Sequence, residues 1–406
     1  MRLTTTSLIG AALGVAAPAY VYAWGAAGHE IVSTIAEIHL HPPVLAYIQS
    51  SLLPSYANGH LAPIASWADR IKRTHEYAGW SGVLHYASWE GDHPPDRCAW
   101  MGEEGEKGQG GWHSDKDVLN AIANYTTRLE QNPEDADPSS FRFAYSWVSF
   151  NFLTHFLGDV HQPLHLTSRE RGGNGDFVLW EGRRTNLHSL WDGLLIARTL
   201  REQRNYTTPL PSQQIERALT GRIYDPYIRL LLWEGVRSWY RSSLSEWMDC
   251  SATGPFSTSS ASSTVIKHTP KVEDEDAPFI PTAAKGQLTF SSTEKTSKVE
   301  DIACPIRWAT ETHRVTCELG FPEGYDEHGA LREIGGESEF WRGLKADHSL
   351  ARLLLQGGLR LAAVLNTVLA EPAKELATRE GWIGLLNREG EERGKVNLGW
   401  IRESDE

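Results

Sequence analysis

A chain of 406 residues, 40% hydrophobic and 22% charged, has the balance of a soluble globular enzyme and is long for one minimal core yet short for three domains. Its formal net charge of −13 excludes nucleic-acid binding through a broad basic face, so any attraction for a polyanion is local, of the kind bound divalent ions supply. The 16 His and 16 Trp bear on this, because histidine is the commonest zinc ligand and tryptophan gives large, stiff packing surface.

The N-terminus carries the pattern of a secretory signal. Met1-Arg2 starts positive, and Leu8 to Ala17 is an apolar run too short to span a bilayer. Val21-Tyr22-Ala23 is a small-residue cleavage site, so residues 1–23 read as a signal peptide and mature protein would start at Trp24. Four cysteines, Cys98, Cys250, Cys304 and Cys317, are an even number that suits two disulfides in an exported chain. Acceptor sites for N-glycans at Asn124 and Asn205 fit the same compartment.

Most of the chain after Trp24 has helical periodicity. Glu30 to Leu40 places Ile31, Val32, Ile35 and Ile38 near a 3.6-residue period. Val118 to Leu129 and Phe141 to Leu157 do the same, the latter with Trp147, Phe150 and Leu153 on one face. Asp176 to Trp180, before Glu181-Gly182, reads as a hairpin arm. Arg217 to Trp247 is mostly helical with a break at Pro226. Between Cys250 and Cys304 the chain turns Ser/Thr-rich and then charged without periodicity, a solvated insertion over residues 251–303. Helix resumes at Ile306, and Ser349 to Leu369 is strongly amphipathic. Residues 371–406 are a polar, acidic and loosely attached extension with Trp382 and Trp400 as isolated anchors. The expected fold is mainly α, one helical domain over residues 24–370 with a few short β-strands.

Two segments place chemistry on helical faces. His155 and Asp159 are four residues apart, so their side chains share a face one turn apart. Pro163 bends the chain so that His165 turns back toward the same space. His188 and Asp192 repeat the spacing. One such pair is more often a helix-surface hydrogen bond; two beside large apolar residues favour metal. Upstream, Asp69 follows Trp67-Ala68 and His85 sits in a short apolar run, each by itself more consistent with a satisfied core polar group. His29 lies five residues after the expected new N-terminus, whose α-amine and carbonyl can chelate a metal once the proton is displaced.

This set resembles the zinc-dependent nucleases of fungi and plants of the nuclease S-one and nuclease P-one type. The matching segments are WGAAGHE (24–30), SWAD (66–69), LHY (84–86), ANYT (123–126), HFLGDVHQPLH (155–165), GGNGD (172–176), NLHSLWD (186–192) and RWATETHRVTC (307–317). The resemblance implies three zinc ions: one held by Asp69, His85, His155 and Asp159, a second by Trp24 and His29 with Asp159 bridging, a third by His165, His188 and Asp192. It implies an endonuclease that cleaves single-stranded DNA and RNA to 5′-phosphate products through a metal-activated water, and also 3′-nucleotidase activity. Where the family has an arginine three residues after the Asp69 position, this chain has Lys72, with Arg73 adjacent, and Lys72 or Arg73 is the expected catalytic cation facing the transition state beside the metal-bound Asp69. Tyr86 matches a base-stacking aromatic; Ser88, Glu90 or Asp92 takes the place of a base-binding acid, and Asn174 is a further substrate contact. Cys98 and Cys317 match a family disulfide, leaving Cys250 and Cys304 to bracket the insertion.

The expected partners are single-stranded DNA, RNA and nucleotides, with no membrane, for a secreted monomer. A zinc phospholipase C-like phosphodiesterase and a non-catalytic zinc-binding secreted protein are the competing readings.

Overall fold

The computed structural model describes residues 24–89, 91–99, 116–131, 141–250, 302–326, 328–382 and 395–403. The signal-like segment, Glu90 and nearly all of the insertion (251–301) lie outside the described residues.

The fold is helical. Among the described residues the first five α-helices are α1 (Ala26–Ile38), α2 (Pro42–Tyr47), α3 (Trp67–Ile71), α4 (Val118–Gln131) and α5 (Phe141–Asp159). α1 buries Ile31, Val32, Ile35 and Ile38 as its period requires, and it packs along the leucine-rich helix Ser349–Val368. α5 lies against both α4 and that long helix, with Phe150, Phe152, Leu153, Phe156 and Leu157 fully buried. Tyr125 of α4 stacks on Phe152, and Phe152 on Phe156, at centroid distances of 4.8 and 5.2 Å. Aromatic and aliphatic walls of this kind exclude water from whatever polar groups they enclose.

Among the described residues the sheet is a single hairpin, β1 (Phe177–Trp180) paired antiparallel with β2 (Arg183–Asn186). Glu181 and Gly182 both have positive φ, 52° and 74°, the two-residue turn that matches strand twist. Pro226 occupies the start of helix Asp225–Leu230 rather than breaking a longer one, a position where its missing N–H costs nothing.

The described parts of the C-terminal extension, residues 371–382 and 395–403, are docked rather than loosely attached. Helix Ala370–Arg379 packs on α2. Trp400 is completely buried, its indole N–H directed at His39 Nε2, 3.4 Å away. Asn397 N–H donates to His39 O at 2.9 Å, and Lys395 Nζ to Met248 O at 2.8 Å. Disulfides join Cys98 to Cys317 and Cys250 to Cys304.

Candidate metal centre

Five His and three Asp from separate segments converge in the buried space beside α5. His29, Asp69 and His155 form one group whose ligand atoms lie within 4.8 Å of one another; His85, His155 and Asp159 form a second; His165, His188 and Asp192 a third. The i,i+4 geometry of α5 brings His155 Nε2 to 3.3 Å from Asp159 Oδ2. Asp159 faces both ways. Its Oδ2 is 2.9 Å from His85 Nδ1, while its Oδ1 is 3.4 Å from His29 Nε2 and 3.5 Å from His165 Nδ1. In the third group His188 Nε2 lies 3.4 Å from Asp192 Oδ2 and His165 Nε2 4.0 Å from Asp192 Oδ1.

Local structure aims these rings. Asn186 accepts from Ser189 N at 2.7 Å and so caps the short turn that presents His188 directly after the hairpin. Gly158 has no side chain where a Cβ would meet His29 Nδ1 at 2.6 Å, which lets the His29 ring lie against α5. His155, His165 and His188 each donate from Nδ1 to a backbone carbonyl: Ala65 O at 2.7 Å, His85 O at 2.8 Å and Gly172 O at 2.6 Å. This is how metal-binding imidazoles are held, because the outer hydrogen bond fixes the tautomer and turns the Nε2 lone pair inward.

Gln162 does the same for a carboxylate. Its amide donates to Asp192 Oδ1 at 2.6 Å while its carbonyl accepts from Leu164 N at 2.5 Å. Residues 24 and 25 are tied to the same place, since Gly25 N–H donates to Asp192 O at 2.6 Å. Trp24 is fully buried.

The unpartnered donor atoms suit a cation. His29 Nδ1 and Nε2, His85 Nε2, Asp69 Oδ2, Asp159 Oδ1 and Asp192 Oδ2 are buried without a hydrogen-bond partner. Each such orphan costs roughly 1–3 kcal/mol, more when charged. Burial pushes the Asp159 and Asp192 carboxyls well above the usual carboxylate range and pushes His29 and His188 down to about 4. His85, His155 and His165 are lowered for the same reason. Burial also drives Asp69 upward, but His155, Lys72 and His29 outweigh it and leave its carboxyl below the usual value. Neutral imidazoles and carboxylates without thiolate are the donor set of catalytic zinc.

The expected substrate residues are placed unequally. Lys72 Nζ donates to Asp69 Oδ1 at 2.7 Å, whereas Arg73 is exposed. Tyr86, beside His85, is 48% exposed, open enough to receive a base. Ser88 is half-buried. Asp92 is buried, its Oδ1 accepting from Ala99 N and His313 Nε2, both at 3.0 Å. It therefore ties its loop to helix Pro305–Leu319. Asn174 donates to Arg171 O at 2.7 Å, inside the Gly-rich turn. Asn205 is exposed, but Asn124 sits mid-helix, half-buried, accepting from Arg128 Nε at 3.0 Å. His161 points away from the three groups, donating to Leu157 O and accepting from the buried Arg360 at 2.9 Å.

Sequence reasoning missed Gln162, Gly158 and the three carbonyl acceptors. Gln162 was visible as a polar residue inside an apolar ligand segment. Backbone carbonyls have no sequence signal at all.

The comparisons with known proteins agree with this geometry. Residues 24–370 match the family described as S1/P1 Nuclease. Endonuclease 4 of Arabidopsis thaliana is 35% identical over 209 residues, 49% of this chain and 64% of its own length. Nuclease P1 of Penicillium citrinum is 39% identical over 169 residues, 42% of this chain and 57% of its own length. Endonuclease 1 of Arabidopsis thaliana is 24% identical over 352 residues, 86% of this chain and 88% of its own length. The chain thus spans about six tenths of the length of the first curated relatives it matches. With the family match covering most of the chain and a helical fold around three His/Asp groups, the chain belongs to the S1/P1 nuclease family.

Proposed function

We propose that the protein is a secreted endonuclease that binds three zinc ions, hydrolyses phosphodiester bonds of single-stranded DNA and RNA to 5′-phosphate products, and also removes 3′-phosphates from nucleotides. One observation carries this reading: three buried His/Asp groups lie around Asp159, whose oxygens reach His29, His85, His155 and His165, and they hold orphaned donor atoms, in a member of a nuclease family. Asp69, His85, His155 and Asp159 would hold one zinc, His29 with the amine and carbonyl of Trp24 and with Asp159 a second, and His165, His188 and Asp192 the third. The tether from Gly25 to Asp192 supports the role of Trp24. Export before Trp24 is supported by the two disulfides.

Bound zinc supplies the Lewis acidity that activates water and polarises a phosphoryl oxygen. The chain does the rest. Asp159, whose Oδ2 faces His85 and whose Oδ1 faces His29, would be a ligand common to two of the ions. Lys72, fixed on Asp69, contributes the cation that faces the charged transition state. Tyr86 offers an exposed ring for stacking, which tolerates any base. Ser88 and Asn174 would make polar contacts to the strand.

Hydrolysis of single-stranded DNA, abolished by chelation and restored by zinc, tests the proposal. Activity on phosphatidylcholine vesicles but not on DNA would move the protein to the phospholipase class. Bound zinc with neither activity would make it a binding protein. A chain retaining one residue before Trp24 should lose zinc; equal zinc content would remove Trp24 from the site.

A further inference from the structure

Residues 170–173 form one turn of left-handed backbone directly beside the third metal group. Their φ values are 43° at Glu170, 57° at Arg171, 67° at Gly172 and 76° at Gly173. L-residues with a side chain are disfavoured in this conformation, and glycine adopts it freely. At Gly172 glycine is compulsory, because a Cβ would meet Leu164 O at 2.4 Å. Glu170 and Arg171 nevertheless keep side chains. Glu170 closes the turn, its carboxylate lying over Gly175 and its carbonyl accepting Gly175 N at 3.1 Å. Arg171 serves the turn only through its backbone, accepting Asn174 Nδ2 at 2.7 Å and donating to Ser168 O at 3.2 Å. Its side chain is exposed, and its guanidinium has no hydrogen bond or ion pair among the described residues. The next residue, Gly172, supplies the carbonyl that orients His188 at 2.6 Å.

A strained backbone that retains an uncommitted cation beside a reaction centre points to use of that cation. We propose that Arg171 is a substrate-binding residue that grips a non-scissile phosphate of the single strand next to the His165–His188–Asp192 group. This rests on the nuclease reading given above. Guanidinium is suited to the task, presenting a planar fork of donors to phosphate oxygens. The turn, pinned to His188, fixes the backbone that carries it, so only the side chain remains to be ordered when substrate arrives. On a chain of net charge −13, such a cation gives the strand a local foothold that the overall field does not.

The role predicts dependence on substrate length. A strand of about twelve nucleotides presents neighbouring phosphates, whereas a dinucleoside monophosphate presents only the scissile one. In the zinc-loaded enzyme, Arg171→Ala should raise KM for the twelve-nucleotide strand about 10-fold with kcat little changed. The slope of log(1/KM) against log salt should shrink by about 0.7, the value for one lost phosphate contact on a single strand. KM for the dinucleoside monophosphate should not move. Arg171→Lys should keep the salt slope but bind more weakly. Arg171→Gly separates binding from structure: it should lose affinity like the alanine variant, while the melting temperature stays equal or rises by about 1–2 °C as backbone strain is relieved. Unchanged KM and salt slope in Arg171→Ala, with an active wild type, would overturn the proposal. So would a lowered melting temperature in Arg171→Gly, which would make the side chain structural. Failure of the wild type to cleave either substrate would instead overturn the nuclease reading itself.

Discussion

Gly158 of α5 and His29 of α1 touch so closely that a Cβ on Gly158 would lie 2.6 Å from His29 Nδ1. The helix that carries Asp159 thus omits a side chain at the place where another helix delivers a ligand. Gly158→Ala should improve helix propensity and still damage the centre by pushing His29 aside. We expect a folded protein, by circular dichroism, whose zinc affinity falls about 10–100-fold. Retention of the full zinc content at wild-type affinity would show that the ring has room to move.

Asp159→Asn separates metal binding from folding. The substitution removes a buried carboxylate that contacts four histidines, so zinc content should drop by at least one ion per chain. In chelator the order should reverse. Burial already pushes the Asp159 carboxyl well above its ordinary value, and a neutral amide avoids that desolvation cost. The metal-free variant should melt at or above the temperature of metal-free wild type. A lower melting temperature in chelator would argue that Asp159 stabilises the fold without metal.

Metal removal should destabilise the wild type. Ligands that bind only the folded state add stability by mass action, about 2.7 kcal/mol at 100 times Kd for each site. Thermal melts across a zinc titration in the presence of a buffer chelator should show a melting temperature that climbs with free zinc. A flat response would mean that the three groups hold no zinc.

Cys250 and Cys304 are 54 residues apart in sequence. Closing such a loop in the unfolded chain corresponds to about 4 kcal/mol by chain entropy. Replacing both by serine should lower stability by up to that amount, read by urea denaturation. Zinc content should be retained, because neither cysteine belongs to one of the three His/Asp groups.

His60 and Glu37 provide a pH test away from the metal. Its hydrogen bond to Glu37 at 2.9 Å, opposed by partial burial, raises the His60 pKa above 6.5. A raised histidine stabilises fully below the unfolded value, near pH 6.5, and its contribution is lost as pH climbs through the folded value. The melting-temperature difference between wild type and His60→Ala should therefore be larger at pH 5.5–6 than at pH 9. An equal difference at both would mean that the charged form is not favoured.

Much of the centre is legible in the sequence because its logic is local. The i,i+4 spacing of His155 with Asp159, and of His188 with Asp192, sets both pairs on helical faces whatever the rest of the chain does. The Glu181-Gly182 turn and the buried face of α1 are likewise consequences of short-range geometry. What tertiary structure decided is everything set by approach between distant segments. Only packing shows that Asp92 is spent on His313, that Gln162 steers Asp192, or that Gly172 turns His188. Only packing shows that Trp400, an isolated anchor in a polar tail, is seated against His39. Residue types and spacing determine which donors are available. The direction each donor faces depends on backbone carbonyls and missing side chains that lie far off in the chain, and these leave no pattern in a single sequence.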